Sequence, residues 1–145
     1  GNLQNVQTLS GKGTDLNSKN AFGLTPLYIA CDKQYGDIAI YLIKKGADLG
    51  VVCAPGDTPM HRICARGMSS LLEQVIASNL NIKLPLDVKS TSGLTLLHVA
   101  AKAGFIGIMK VLVKHANVMN ARDATGKTAL HYVCESGNLE MVEFL

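Results

Sequence analysis

Tryptophan is absent from these 145 residues, and aromatic side chains make up only 5% of them. A core built on large rings is thereby excluded, and aliphatic side chains with alanine must fill the interior. Charge is also thin, at 17%, with fourteen lysines and arginines against eleven acids for a net +3. The signs are interspersed, whereas a nucleic-acid footprint needs a clustered basic face, so no nucleic-acid partner is expected. No unbroken apolar run reaches eighteen residues, so direct membrane insertion is not expected either. The four cysteines follow no framework spacing and no signal segment is visible, which points to a reducing cytoplasmic or nuclear compartment.

Catalytic motifs are missing as well. The chain holds no paired-carboxylate motif, zinc spacing or serine elbow. Residues 11–14 read G-K-G-T but lack the glycine-rich lead-in and the strand-to-helix context of a phosphate loop. Neither an enzyme activity nor a cofactor, metal or catalytic residue is expected.

What is present is a tetrapeptide that returns. Residues 25–28 read T-P-L-Y, 58–61 T-P-M-H, 95–98 T-L-L-H and 128–131 T-A-L-H. In front of these stand Gly23, Gly56, Gly93 and Gly126, spaced by 33, 37 and 33 residues. A second series, Gly1, Gln34, Gly67, Gly104 and Gly137, keeps the same register. Each threonine suits a helix cap, and Pro26 and Pro59 suit the first helical turn. A second helix follows near residues 37–45, where Ile38, Tyr41 and Leu42 form an apolar stripe, and Gly46 supplies a left-handed stop. Ile108, Val111 and Leu112 repeat the stripe further on, and Val142 with Leu145 begins it again.

A period near 33 that opens on Thr-Pro-Leu-His resembles the ankyrin-repeat family over nearly the whole chain. The resemblance implies an all-α repeat fold, a solenoid of units that each hold a β-turn finger and two antiparallel helices. We read 1–145 as one such domain: a half repeat over 1–20, full repeats over 21–53, 54–90 and 91–123, and a truncated one over 124–145. Both ends look cut, with Gly1 either a register glycine or a tag scar, or both. The expected state is a monomeric module within a longer parent chain.

His61 and Cys64, like His131 and Cys134, lie three apart and could suggest a metal pair or an activated thiol. The repeat explains them better. Cys31, Cys64 and Cys134 share one position, taken by Ala101 in the fourth unit, so all three are expected buried as small hydrophobes. Neighbouring units stand about 10 Å apart, too far for disulfides between these cysteines. His61, His98 and His131 share a position that holds Tyr28 in the second unit, and the family resemblance implies hydrogen bonds from this histidine to adjacent turns and helix starts. Cys53 falls in the turn region and is expected to be the accessible thiol.

The array departs from its own pattern in places. Gln34 replaces an inter-helix glycine, Asn79 and Ala116 replace helix-ending glycines, and Leu96 and Ala129 replace the motif proline. The third unit carries four extra residues, and Leu84, Leu86 and Val88 alternate there with polar residues and proline, the period of a half-buried extended strand. Two readings stand for this long finger: a recognition loop, or a segment that folds back over the neighbouring helices.

Family resemblance implies a protein partner, of unknown identity, on the concave face of fingers and first helices. The corresponding positions include Phe22, Leu24, Asp32, Lys33, Asp57, Arg66, Leu94, Lys102, Lys127 and Glu135. Phe22, Leu24 and Leu94 are large apolar residues that the fold does not need to bury. Arg66 and Lys102 beside them complete the apolar-and-basic combination that interface hot spots favour. A second hypothesis makes the array a regulatory segment of a larger enzyme, channel or receptor, docking on its own other domains. Asn17 with Leu9, and Asn120 with Leu112, also resemble asparaginyl-hydroxylase substrates, against the alternative that these asparagines only shape turns.

Overall fold

The computed structural model describes residues 2–11, 13–78, 84–115 and 118–145. Gly1, Asn79, Ala116 and the first part of the long finger, 81–83, lie outside the described residues. Among those described, the chain forms helices α1 (Leu3–Ser10), α2 (Pro26–Asp32), α3 (Gly36–Lys44), α4 (Pro59–Ala65), α5 (Ser69–Ala77), α6 (Leu96–Ala103), α7 (Ile106–His115), α8 (Ala129–Ser136) and α9 (Leu139–Phe144). The four first helices α2, α4, α6 and α8 stack in one row, while α1, α3, α5 and α7 form a second row behind it. This is an all-helical solenoid, as the repeat pattern predicts.

Each first helix starts where its threonine says. The Thr25 hydroxyl accepts the Tyr28 N–H at 3.2 Å, and Thr58 and Thr95 accept from His61 and His98 at 3.4 Å. Each inter-helix turn needs a left-handed residue. Gly67, Gly104 and Gly137 supply it at φ 66°, 81° and 68°, and Gln34 is forced into the same conformation at φ 60°. For a residue with a Cβ that conformation costs roughly 1–2 kcal/mol.

Fingers join one another through backbone. The Ala54 N–H donates to the Gly23 carbonyl at 3.1 Å, Thr91 to Gly56 at 2.9 Å and Ala124 to Ser92 at 3.2 Å. Gly93 shows why glycine recurs at this corner: its φ is +74°, and a Cβ there would lie 2.8 Å from the Ala124 backbone nitrogen. The core between the two rows is aliphatic, as the absence of tryptophan requires, with Leu27, Ile43, Met60, Ile63, Leu72, Leu97, Met109 and Leu112 enclosed.

Three expectations need correction. The alternation at residues 84–88 does not give an extended strand: Pro85 opens a turn in which the Val88 N–H donates to the Pro85 carbonyl at 3.3 Å. Only an isolated bridge follows, between Lys89 and Thr95. Cys53 is not the accessible thiol. It is buried, with its sulfur 3.9 Å from the Thr25 hydroxyl beneath the finger. Cys134, expected to be enclosed, is exposed, because among the described residues nothing packs on the outer face of α8. Cys31 and Cys64 are enclosed between stacked helices, and burial pushes both thiols up, Cys31 to about 12.

Two outcomes follow from this packing. A thiol reagent should label Cys134 quickly in the native protein and Cys31, Cys53 and Cys64 only as fast as the chain opens, as read by mass spectrometry after timed quenching. Leu112, fully enclosed on α7, should cost about 2–5 kcal/mol in urea unfolding when replaced by alanine; a loss under half a kilocalorie would overturn the assignment of its face.

Candidate partner-binding surface

The first helices end side by side, and half of the candidate contact residues lie at these ends: Asp32 on α2 with Lys33 just after it, Arg66 just after α4, Lys102 on α6 and Glu135 on α8. Fingers stand in front of them. Phe22, at the tip of the first described finger, is 77% exposed. Leu24 and Leu94 are half-buried, so of the three apolar candidates only Phe22 is displayed outright.

A residue that the sequence argument missed organises this surface. Arg62 Nε donates to the Tyr28 hydroxyl at 2.6 Å, and one terminal nitrogen donates to Asp57 Oδ2 at 3.0 Å. Its other terminal nitrogen lies 3.6 Å from Asp32 Oδ1, and the guanidinium sits 5.2 Å from the centre of the Tyr28 ring. Arg66 then donates to the same Asp32 oxygen at 2.8 Å. This hydrogen bond, reinforced by both arginine charges, holds the Asp32 carboxyl below the usual carboxylate range. Burial raises Tyr28 above the ordinary phenol value. The signal was readable in outline: the arginine's position, one after the motif histidine, is taken by Ile29, Val99 and Tyr132 in the other units. Its partners, 30 and 34 positions earlier and 5 earlier, become visible only when the units are stacked.

Toward the other end, Tyr132 fills that position. Its hydroxyl donates to Asp123 Oδ2 at 2.6 Å, while Asp123 Oδ1 accepts the N–H groups of Thr125 and Lys127 at 2.8 and 3.0 Å. The first of these bonds is the largest reason the Asp123 carboxyl sits far below its ordinary range, and it pushes the Tyr132 phenol up to about 12. Lys127 Nζ reaches Glu135 at 2.5 Å and lies 5.3 Å from the Tyr132 ring centre. Every acidic candidate, Asp32, Asp57 and Glu135, is thus already paired on the surface. Lys33 and Lys102 enter no ion pair among the described residues.

The histidines belong to the scaffold behind this face. His61 Nδ1 accepts the Thr58 N–H at 3.3 Å and lies 2.8 Å from the Thr58 hydroxyl, while Nε2 donates to the Leu94 carbonyl at 3.0 Å. His98 repeats the arrangement with Thr95 and the Lys127 carbonyl, at 3.1, 2.7 and 2.9 Å. A carbonyl can only accept and an amide can only donate, so these contacts assign the neutral tautomer with its proton on Nε2. Among the described residues no group of three His, Cys, Asp or Glu side chains is placed to hold a metal, and no helix is long and apolar enough to cross a membrane.

The remaining candidates lie elsewhere. Leu84, Leu86 and Val88 are half-buried and pack against the core. Asn17 Oδ1 accepts the Asp48 N–H at 2.9 Å, tying one loop to the next, and Asn120 is exposed. Leu9 is 63% exposed, whereas Leu112 is fully enclosed.

A stacked row of threonine-capped helix pairs, joined through histidine and finger hydrogen bonds, defines a helical-repeat scaffold with its side chains displayed on one edge. The family profile for ankyrin repeats (3 copies) matches residues 1–85 and again 61–145. The chain therefore belongs to the ankyrin-repeat family, whose domains are protein-interaction modules. It is 29% identical over 144 residues to the ANK repeat-containing protein nipk-1 of Caenorhabditis elegans, a match that covers 89% of this chain and 23% of that protein. With the tyrosine-protein kinase HTK16 of Hydra vulgaris it shares 30% over 130 residues, covering 90% and 17% respectively. With the nuclear factor NF-kappa-B p105 subunit of Gallus gallus it shares 26% over 145 residues, covering 97% and 14%. The chain thus spans less than a quarter of the length of these curated relatives.

A pH dependence follows from His61. Burial lowers its pKa in the folded protein, while the unfolded imidazole titrates near 6.5. Below pH ~6.5 the unfolded chain binds the extra proton first, so this contribution to stability is complete at neutral pH and is lost as pH falls toward the folded value. Urea unfolding should show stability declining between pH 7.5 and pH 5, by no more than about 1.4 kcal/mol per pH unit for one proton. His61→Gln should flatten that slope, and an unchanged slope would remove His61 as its source.

Proposed function

We propose that this domain binds a protein partner on the surface formed by its fingers and the ends of its first helices. The observation that carries the reading is Phe22, a large apolar ring 77% exposed on a finger tip where it adds nothing to the core. Buried aromatic anchors with arginine neighbours dominate interface energies, and the paired Asp32–Arg62–Asp57–Arg66 row beside this finger is held in place before any partner arrives. Leu24, Leu94, Lys33, Lys102, Lys127 and Glu135 complete the surface. The reading gives these residues no catalysis and no cofactor, takes 1–145 as one repeat domain acting as a monomer, and sets it in the cytoplasm or nucleus.

A second reading, regulation within a larger chain, draws support from the match to a tyrosine-protein kinase of which this domain would be 17%. Under it, the other domains of the parent compete with external partners for Phe22 and Lys102. Residues 84–88 are the fallback recognition site. Hydroxylation of Asn17 or Asn120 is a separate proposal; the Leu112 eight residues before Asn120 is fully enclosed, so recognition of that leucine requires the helix end to open.

Phe22→Ala combined with Lys102→Glu should leave the thermal midpoint nearly unchanged and weaken partner binding by about 2 kcal/mol or more, measured against proteins recovered quantitatively on the wild-type domain. Arg66 is unsuitable for this test, because its reversal also breaks the bond to Asp32. Full binding by that variant, with loss on removing residues 84–87 to restore the 33-residue spacing, would move recognition to the long finger.

A further inference from the structure

The charges on the candidate surface do not balance once its internal pairs are set aside. Asp32 and Asp57 are satisfied by Arg62 and Arg66, and Glu135 by Lys127. Lys33, at the end of α2, and Lys102, in the last turn of α6, have exposed side chains that enter no ion pair among the described residues. One first helix, α4, lies between them in the row. At about 10 Å per packed helix the two lysines stand roughly 20 Å apart along the array. An extended chain advances ~3.3 Å per residue, so about six residues span that gap. Between the two lysines α4 presents the half-buried Ala65 beside Arg62 and Arg66, whose charges are taken up by Asp32 and Asp57, and α6 adds the half-buried Val99.

We propose that this surface recognises an extended peptide segment with two carboxylates about six residues apart and an apolar side chain between them, each carboxylate meeting one of Lys33 and Lys102. The inference rests on the interface reading above and names the chemistry of the partner. A nucleic-acid backbone fits poorly, because its closely spaced phosphates would run along Asp32 and Glu135 as well as the two lysines. A peptide can place its acids at the lysines alone and leave neutral residues over the existing ion pairs.

The test uses fluorescein-labelled twelve-residue peptide pools built on random Gly, Ser and Ala, read by fluorescence anisotropy at low and moderate salt. One pool carries a central Leu flanked by Glu three residues to either side; the second has Lys for Glu, and the third has Ser for Leu. The Glu-Leu-Glu pool should bind at least tenfold more tightly than the lysine pool and more tightly than the serine pool, with affinity falling as salt is raised. Lys33→Glu with Lys102→Glu should invert the preference between acidic and basic pools while the thermal midpoint stays that of the wild type. A twelve-residue oligouridine should bind no better than the lysine pool. No preference for the acidic pool, an unchanged preference in the double variant, or tighter binding of oligouridine would overturn the proposal. Amide shift mapping separates the two levels of failure. Shifts on α2, α4 and α6 caused by the wrong pool leave the interface standing with a different partner chemistry, whereas shifts confined to α3, α5, α7 and residues 84–88 would sink the interface reading too.

Discussion

Two unit boundaries in this array depend on one small contact, the imidazole that links the start of a first helix to the finger of the next unit. His61 takes the Thr58 amide on one nitrogen and reaches the Leu94 carbonyl with the other; His98 does the same between Thr95 and Lys127. Burying an unsatisfied amide or carbonyl costs on the order of 1–3 kcal/mol, so a ring that satisfies one of each across a unit boundary fixes helix to finger and finger to finger at once. Stability in a solenoid is a sum of such neighbour terms, and a core without tryptophan has few large single contacts to replace them.

Where the imidazole is absent, other side chains take over. Tyr28 stands at the histidine's position, and a phenol cannot serve a helix amide and a distant carbonyl together. It accepts from Arg62 instead, and that guanidinium collects Asp32 and Asp57 around itself. Beside the shared core and the Ala54–Gly23 backbone bond, charges at the rim thus take the imidazole's place between the units of α2 and α4. A set of paired charges occupies one end of the surface, Phe22 projects beside it, and Lys33 and Lys102, in no ion pair among the described residues, stand to either side. The same side chains that join two units thus shape the proposed partner surface.

Much of the fold was legible because the repeat reports on itself. Thr25, Thr58, Thr95 and Thr128 announced helix starts, Gly23, Gly56, Gly93 and Gly126 announced turns, and Gln34 stood out as the replacement for an inter-helix glycine, whose left-handed conformation it takes at φ 60°. The candidate surface was legible in part. Its positions came from register, but register cannot say which of them are already engaged, and Arg62 escaped notice because Tyr28 and Asp32, two of its three partners, lie on another unit. Cys53 and Cys134 mark the same limit from the other side. Finger depth buries the first, and the lack of a packed neighbour among the described residues exposes the second, although the repeat position of Cys134 is enclosed at Cys31, Cys64 and Ala101.

The amino-acid sequence by itself determined the unit: its length, its caps, its left-handed corners and the stripe of residues that must be covered, since all of these depend on neighbours within one turn or one helix. Stacking decided everything that depends on a residue one period away. A charge at Asp32 is paired only because Arg62 and Arg66 come to rest against it, 30 and 34 residues later in the chain. Lys33 and Lys102 form no ion pair among the described residues for the complementary reason, that Asp32 is already held by Arg62 and Arg66 and Glu135 by Lys127. Coulomb attraction and hydrogen bonding act over a few ångströms, and only the tertiary structure settles which residues lie that close.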